Sequence, residues 1–323
     1  MRAKIAILVL ACGLILAGCG QSKDSRAVEK VSDGPVSVAE GACFGGATVG
    51  GAADEVAKKL KTKQVKALSD DPTWTDPVDC AKPHRIFVYG LVALSKDLDK
   101  QVTSYTKLLN TESKLYEQVR NEVNRACSLK VPGVRKALKQ TDLKLQITPA
   151  LNSDLAHLTF NPLPAANWAQ GQRQFACLMT MEKPATYTLA DFLTVLGKDS
   201  SLHLCYDPQS QPVGCREPHT MESVAVITAN EAVADGQLPD ETGFANGTLE
   251  VAPGVWDGLD RVCTTFLRAN SNVPKGLTGV TSLYDSQWPV QGTEDFAFYC
   301  DATSPYNTPK RKQTRTTGSV FNR

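Results

Sequence analysis

The fold this sequence predicts is α+β: two tandem, disulfide-stapled domains, each a short antiparallel sheet with one main helix packed on it. A repeated cysteine motif, a helical stripe ahead of the third cysteine of each set, and a recurring Trp-Gly-aromatic-Cys closure carry that expectation. Cys80-Ala-Lys-Pro83-His84 and Cys215-Arg-Glu-Pro218-His219 share the spacing Cys-x-x-Pro-His. A further cysteine follows each at nearly the same distance, Cys127 after 47 residues and Cys263 after 48.

The chain opens with Arg2 and Lys4 ahead of an apolar run, Ile5 to Ile15, too short to span a bilayer as a stable helix. Leu16-Ala17-Gly18-Cys19 then looks like the lipobox of bacterial lipoproteins, which implies cleavage before Cys19 and acylation of its amine and thiol. Residues 1–18 are thus read as a lipoprotein signal peptide; the alternative is an ordinary secretory signal that ends at the same place. Several acyl chains on one residue anchor stably where one does not. The expected location is the extracytoplasmic face of a bacterial cell membrane, with the membrane as partner through Cys19 and no transmembrane helix. Residues 19–38 are rich in Ser, Lys, Asp, Glu, Gly and Val without apolar period, and read as a flexible tether.

Removing the signal takes Cys12 with it and commits Cys19 to lipid. Of the 10 cysteines in the chain, Cys43, Cys80, Cys127, Cys177, Cys205, Cys215, Cys263 and Cys300 remain. An even number in an exported chain reads as a disulfide set. A formal net charge of +1 argues for neither nucleic acid nor an acidic polymer as the main partner. The apolar fraction of 42% is ordinary, so a core can form in each half.

The first unit, residues 39–185, is expected to form a helix over Ala53 to Leu68 and then a β-rich run from Arg85 to Leu94 directly after Pro83-His84. Leu115, Val119, Val123 and Ala126 recur at helical spacing before Cys127. Trp168-Ala-Gln-Gly171 then leads to a strand ending in Phe175-Ala-Cys177. The second unit, residues 186–304, repeats the order. Ser223 to Ile227 forms the strand after Pro218-His219, and Val255, Trp256, Leu259, Val262, Cys263 and Phe266 form an apolar helical stripe. Trp288 and Gly292 lead to Phe296 and Cys300. Self-similarity at this scale means tandem domains. Residues 305–323, with Lys310, Arg311, Lys312, Arg315 and Arg323 among polar residues, read as a basic disordered tail. Contact with anionic head groups or wall polymer, and a plainly solvated terminus, are equal readings of it.

Four cysteines per unit allow three connectivities. The short Pro- and Gly-containing loop between Cys205 and Cys215 suits a hairpin bridged near its ends, which favours that pair and, by position, Cys43 with Cys80. Cys127–Cys177 and Cys263–Cys300 would then tie each helix to its final strand, each bridge stabilising by about 2–4 kcal/mol.

On Gly41, Cys43-Phe44, Cys80-x-x-Pro83-His84, Cys127 and Trp168-x-x-Gly171 before Cys177, the chain resembles the septum-formation domain family of actinobacterial envelope proteins. Cys205-Tyr206, Cys215-x-x-Pro218-His219, Cys263 and Trp288-x-x-x-Gly292 before Cys300 repeat the resemblance, which covers most of residues 40–302. One extra residue between Trp288 and Gly292, and the compact Cys205–Cys215 loop, depart from the pattern. The resemblance implies a small surface α+β module with a loose link to division and no established catalytic activity.

His84 and His219 invite a zinc or general-base reading. Zinc would need reduced thiolates, which an oxidising exterior disfavours, and no signature of a positioned nucleophile is present. The favoured reading is structural, with Pro83 and Pro218 fixing an entry angle and each histidine pinning a strand by a hydrogen bond. Trp168 and Trp288 read as core in preference to a sugar-stacking platform. His157 and His203 stand in unrelated contexts, and Asp260 and Glu222 show no pairing in sequence that suggests glycoside hydrolysis. No catalytic residue, metal or cofactor is expected. Envelope or division proteins, or wall polymer, are the partners expected of a lipid-anchored interaction or structural module. A solute- or wall-polymer-binding lipoprotein is the alternative, with a cleft floored by Trp168 or Trp288, and a wall hydrolase using His84 or His219 is the third.

Overall fold

The structure, a computed structural model, describes residues 35–45, 74, 76–108, 113–152, 154–186, 202–240, 251, 254–271, 273, 275–283, 288, 295–305 and 313–317. The lipobox, most of the tether, the helix expected over Ala53 to Leu68, and Gly292 lie outside the described residues.

The first half gives β1 (Cys43–Phe44), β2 (Pro77–Val78), β3 (His84–Ala93), α1 (Lys96–Gln101), α2 (Tyr105–Leu108), α3 (Lys114–Ser128) and α4 (Val134–Leu138). It continues with β4 (Gln146–Pro149), β5 (Ala156–Pro162), α5 (Ala165–Ala169) and β6 (Gln174–Ala185). The second half gives β7 (Leu204–Tyr206), β8 (Pro212–Val213), β9 (Met221–Thr228), α6 (Asn230–Ala234), α7 (Val255–Asn270), β10 (Thr278–Leu283) and β11 (Ala297–Thr303). Among the described residues no helix is long and apolar enough to cross a membrane.

Two antiparallel sheets have the same strand order. The first runs β2-β1-β3-β6-β5 and the second β8-β7-β9-β11-β10. Their registers agree residue for residue when counted from the motif histidines. Phe44 pairs with Ile86 as Tyr206 pairs with Met221; Val88 faces Leu178 as Ser223 faces Asp301; Gly90 faces Cys177 as Ala225 faces Cys300. A register shift falls at the same place in both, between Val88 and Gly90 and at the Cys300/Asp301 step. Bulges re-aim side chains and are placed features of a sheet, so a shared bulge is strong support for duplication.

Each sheet carries one main helix. In α3, Ser113 caps the start by accepting from the Tyr116 N–H at 3.0 Å, and Val119, Val123 and Cys127 recur at i+4 on the buried face. In α7, Leu259, Val262, Cys263, Phe266 and Leu267 form the buried stripe. Disulfides join Cys127 to Cys177 and Cys263 to Cys300, bolting each helix to its sheet. The other two join Cys43 to Cys80 and Cys205 to Cys215. All four are the expected pairs, Cys205–Cys215 from its short loop, Cys43–Cys80 by position and the other two as the pairs that remain. The cysteines of the final strands do not end them, however. Cys177 is followed by eight more residues of β6, and Cys300 by three of β11.

The halves share a core. β4, from the first half, pairs with β9 of the second sheet, with Ile147 opposite Ile227. Val131, Val134, Ala137 and Ile147 join the apolar cluster that holds Val262, Phe266 and Trp288. The Ser128 hydroxyl donates to the Ile147 carbonyl at 2.8 Å, which fastens the end of α3 to this exchanged strand. A second cluster, with Trp168, Phe175 and Val123, fills the first half.

The reading of 305–323 as a disordered tail fails at residues 313–317. Thr316 is buried and forms an antiparallel bridge with His219, its N–H and carbonyl each 2.9 Å from the histidine's backbone partners. In the first half the long β6 does this job, since Ala185 pairs with His84. The strand β11 stops sooner, and the chain beyond it supplies the missing partner.

Candidate functional site

The two Cys-x-x-Pro-His segments are the same turn. The carbonyl before each cysteine, of Asp79 or Gly214, accepts the N–H of the residue before proline, Lys82 or Glu217, at 2.8 Å. Each histidine folds its ring back on that residue, with Nδ1 2.9 Å from the Lys82 or Glu217 carbonyl. A carbonyl only accepts, so Nδ1 carries the proton in both rings. In neutral His219, Nε2 then accepts from the Thr316 hydroxyl at 2.8 Å. Pro83 and Pro218 lie at the surface ahead of buried histidines. The turn also extends the motif: Pro77-Val78-x-Cys80 and Pro212-Val213-x-Cys215 match in both sequence and pairing, so the repeated unit is Pro-Val-x-Cys-x-x-Pro-His.

The tryptophans are internal as well. Trp288 is fully buried and its Nε1–H donates to the Pro239 carbonyl at 2.8 Å. Trp168 is buried among Tyr105 and Phe175, with the Arg173 guanidinium 5.0 Å above its ring. Gly171 takes φ +85° in the turn that follows, where a side chain would be strained. Among the described residues neither tryptophan is exposed to an open cleft.

What separates the copies is a set of polar replacements inside the second sheet. Facing the first hairpin disulfide, Phe87 pairs with Cys43; at that position the second copy has buried Glu222 opposite Cys205. Two residues before the hairpin cysteine, Gly41 becomes His203, whose Nδ1 lies 3.2 Å from Glu222 Oε1. One step along the strand, the apolar pair Val88–Leu178 becomes Ser223–Asp301. Ser223 donates to Asp301 Oδ1 at 2.6 Å and Ser282 to Oδ2 at 2.8 Å. Burial pushes the Asp301 carboxyl up to about 6, and the two hydroxyl bonds only partly offset it. Reading His203 and Glu222 singly leaves them without a role. Aligning the two copies, Glu222 from the motif histidine and His203 from the hairpin cysteine, finds them as positions that are ionisable in the second copy alone.

Cys205, His219 and Glu222 bring ligand atoms within 4.8 Å of one another. The Cys205 sulfur is committed to Cys215, and a disulfide sulfur is not the thiolate that a zinc site requires.

An open groove of about 550 Å³ lies between α7 and β10. Arg261, Thr265 and Arg268 of the helix, Thr278 of the strand and Gln140 from beyond α4 line it. Gly279 lets the two elements meet, because a Cβ there would stand 2.4 Å from the Thr264 nitrogen and 2.6 Å from the Cys263 carbonyl carbon. Thr264 closes the contact by donating to the Gly279 carbonyl at 3.0 Å. Asp260, also at the groove, is turned to the wall: it accepts the Thr281 N–H, and partial burial raises its carboxyl above the ordinary range. Arg125 holds the position in α3 that Arg261 holds in α7, and it pairs with Glu231 at 2.8 Å. Neither Arg261 nor Arg268 forms an ion pair among the described residues.

No protein-family model, curated protein or solved structure matches the chain.

Proposed function

We propose that this chain is a non-catalytic, lipid-anchored envelope protein that works as an interaction or structural module, tied to the outer face of the cell membrane through Cys19. The observation that supports it is the use made of the repeated motif. Both histidines spend Nδ1 on a backbone carbonyl and lie buried, and His219 spends Nε2 on Thr316. A general base needs a free nitrogen aimed at a reacting proton. A turn that must be copied intact is what a scaffold needs. Association with septum formation rests on the resemblance of the cysteine, Pro-His and Trp-Gly motifs to that domain family.

Fractionation of cells producing the full chain tests the anchor: Cys19→Ser moves the protein from the membrane pellet to the soluble fraction. Soluble-fragment release from purified wall polymer tests the absence of catalysis. Release that is lost in His84→Ala or His219→Ala overturns the proposal in favour of a hydrolase.

A second reading, an extracytoplasmic solute- or wall-polymer-binding lipoprotein, is favoured by the groove between α7 and β10. It is open to solvent and offers arginines with no ion-pair partner among the described residues.

A further inference from the structure

We propose that the groove between α7 and β10 is a binding site for a hydroxylated ligand that carries two anionic groups, and this rests on the binding reading above. Arg261 and Arg268 are seven residues apart, which on a helix places them on one stripe with a rise of about 10 Å between them. Thr265 lies between the two on the same face and Gln140 also lines the groove, while the Thr264 and Thr278 hydroxyls, 3.1 Å apart, close its wall. The site therefore presents two cations with the Thr265 hydroxyl and the Gln140 amide beside them. A guanidinium offers a planar fork of donors that fits carboxylate and phosphate oxygens, whereas a neutral polyol alone would leave both forks to water.

The contrast between the copies supports a ligand in place of a protein carboxylate. Arg125, the counterpart of Arg261, already holds Glu231. Leu158 occupies the position of Gly279 when the copies are aligned through Phe160–Cys177 and Thr281–Cys300, so the close helix–strand approach belongs to the second copy alone. Among the described residues Asp260 is the one carboxylate lining the groove, and its bond to the Thr281 N–H directs it into the wall.

The test is calorimetric titration of the full chain with a hexose bisphosphate, a hexaric acid and a neutral hexose at low ionic strength. Saturable binding is expected for at least one of the two dianions and none for the neutral sugar; which dianion binds separates phosphate from carboxylate. Arg261→Gln and Arg268→Gln should each weaken binding by about tenfold, the loss of one charge-assisted contact. Both side chains are exposed, so the variants keep the wild-type melting temperature, and Lys183→Gln on the first sheet leaves affinity unchanged. No saturable binding by roughly 10 mM of either dianion overturns the assignment, as does binding that survives both arginine replacements. Retention of the protein on purified wall polymer without binding of either dianion removes the groove and leaves the broader binding reading standing.

Discussion

Asp301 gives the sharpest prediction. Its carboxyl is buried where the first copy has Leu178, and burial lifts it from the ordinary 3.8 to about 6. At about 1.4 kcal/mol per pH unit, that difference corresponds to about 3 kcal/mol. The folded state holds the proton between about pH 4 and 6, where the unfolded chain has released it. Raising pH through that window therefore favours unfolding: the contribution is fully present below the unfolded value and is lost as pH passes the folded value. Asp301→Asn carries no titrating group, yet its amide can accept from one serine and donate to the other. Urea unfolding of wild type and Asp301→Asn at pH 4, 5, 6 and 7.5 should show a stability difference that shifts towards the variant by about 3 kcal/mol across the series. Comparing the two proteins cancels the titration of every other group. A difference that stays constant with pH would mean that Asp301 ionises alike in the folded and unfolded chain and that its burial carries no such cost.

Other consequences follow from the bridges, the strap and the groove wall. Replacing Cys43 and Cys80 by serine should cost about 4 kcal/mol and replacing Cys205 and Cys215 about 3 kcal/mol, because the closed loops span 37 and 10 residues; chemical denaturation reads both. Thr316→Val removes the hydroxyl on His219 Nε2 and should cost about 1–2 kcal/mol, with faster hydrogen exchange at the 219–316 bridge; an unchanged exchange rate counts against the strap. Gly279→Ala forces a Cβ into the backbone of Thr264 and should lower stability by about 1–3 kcal/mol, measured by thermal melting, while Gly171→Ala fills open space and is strained only by its φ of +85°.

The elements were legible where one local rule sufficed. The i+4 recurrence of Val119, Val123 and Cys127, and the stripe from Leu259 to Leu267, needed only helical period to place α3 and α7. The short loop from Cys205 to Cys215 fixed its own bridge. Pairings across long stretches of chain were not legible. Gln146–Pro149 joins the sheet of the other half, and Thr316 comes back to His219 from 97 residues away, because each supplies hydrogen bonds that an edge left open. The polar cluster was hidden for a different reason. Glu222 and Asp301 look like surface residues of half-exposed strands until the sheet shows what stands opposite them. Ionisable groups are rarely fully buried without partners, so only the partners His203, Ser223 and Ser282 make their burial intelligible. The arginines of the groove carried no motif at all; their meaning lies in Arg125, which is paired, and in Gly279, which is small.

The central claim is that one disulfide-pinned scaffold occurs twice, its histidines holding turns and not a metal or a substrate. A peptide map of the full chain isolated without reduction, with free thiols trapped first, is the decisive measurement. Four bridged peptides are expected, Cys43–Cys80, Cys127–Cys177, Cys205–Cys215 and Cys263–Cys300, with no trapped thiol among these eight. Trapped thiols at Cys205 and Cys215 together with bound zinc would contradict it, since those sulfurs would then be ligands beside His219 and Glu222.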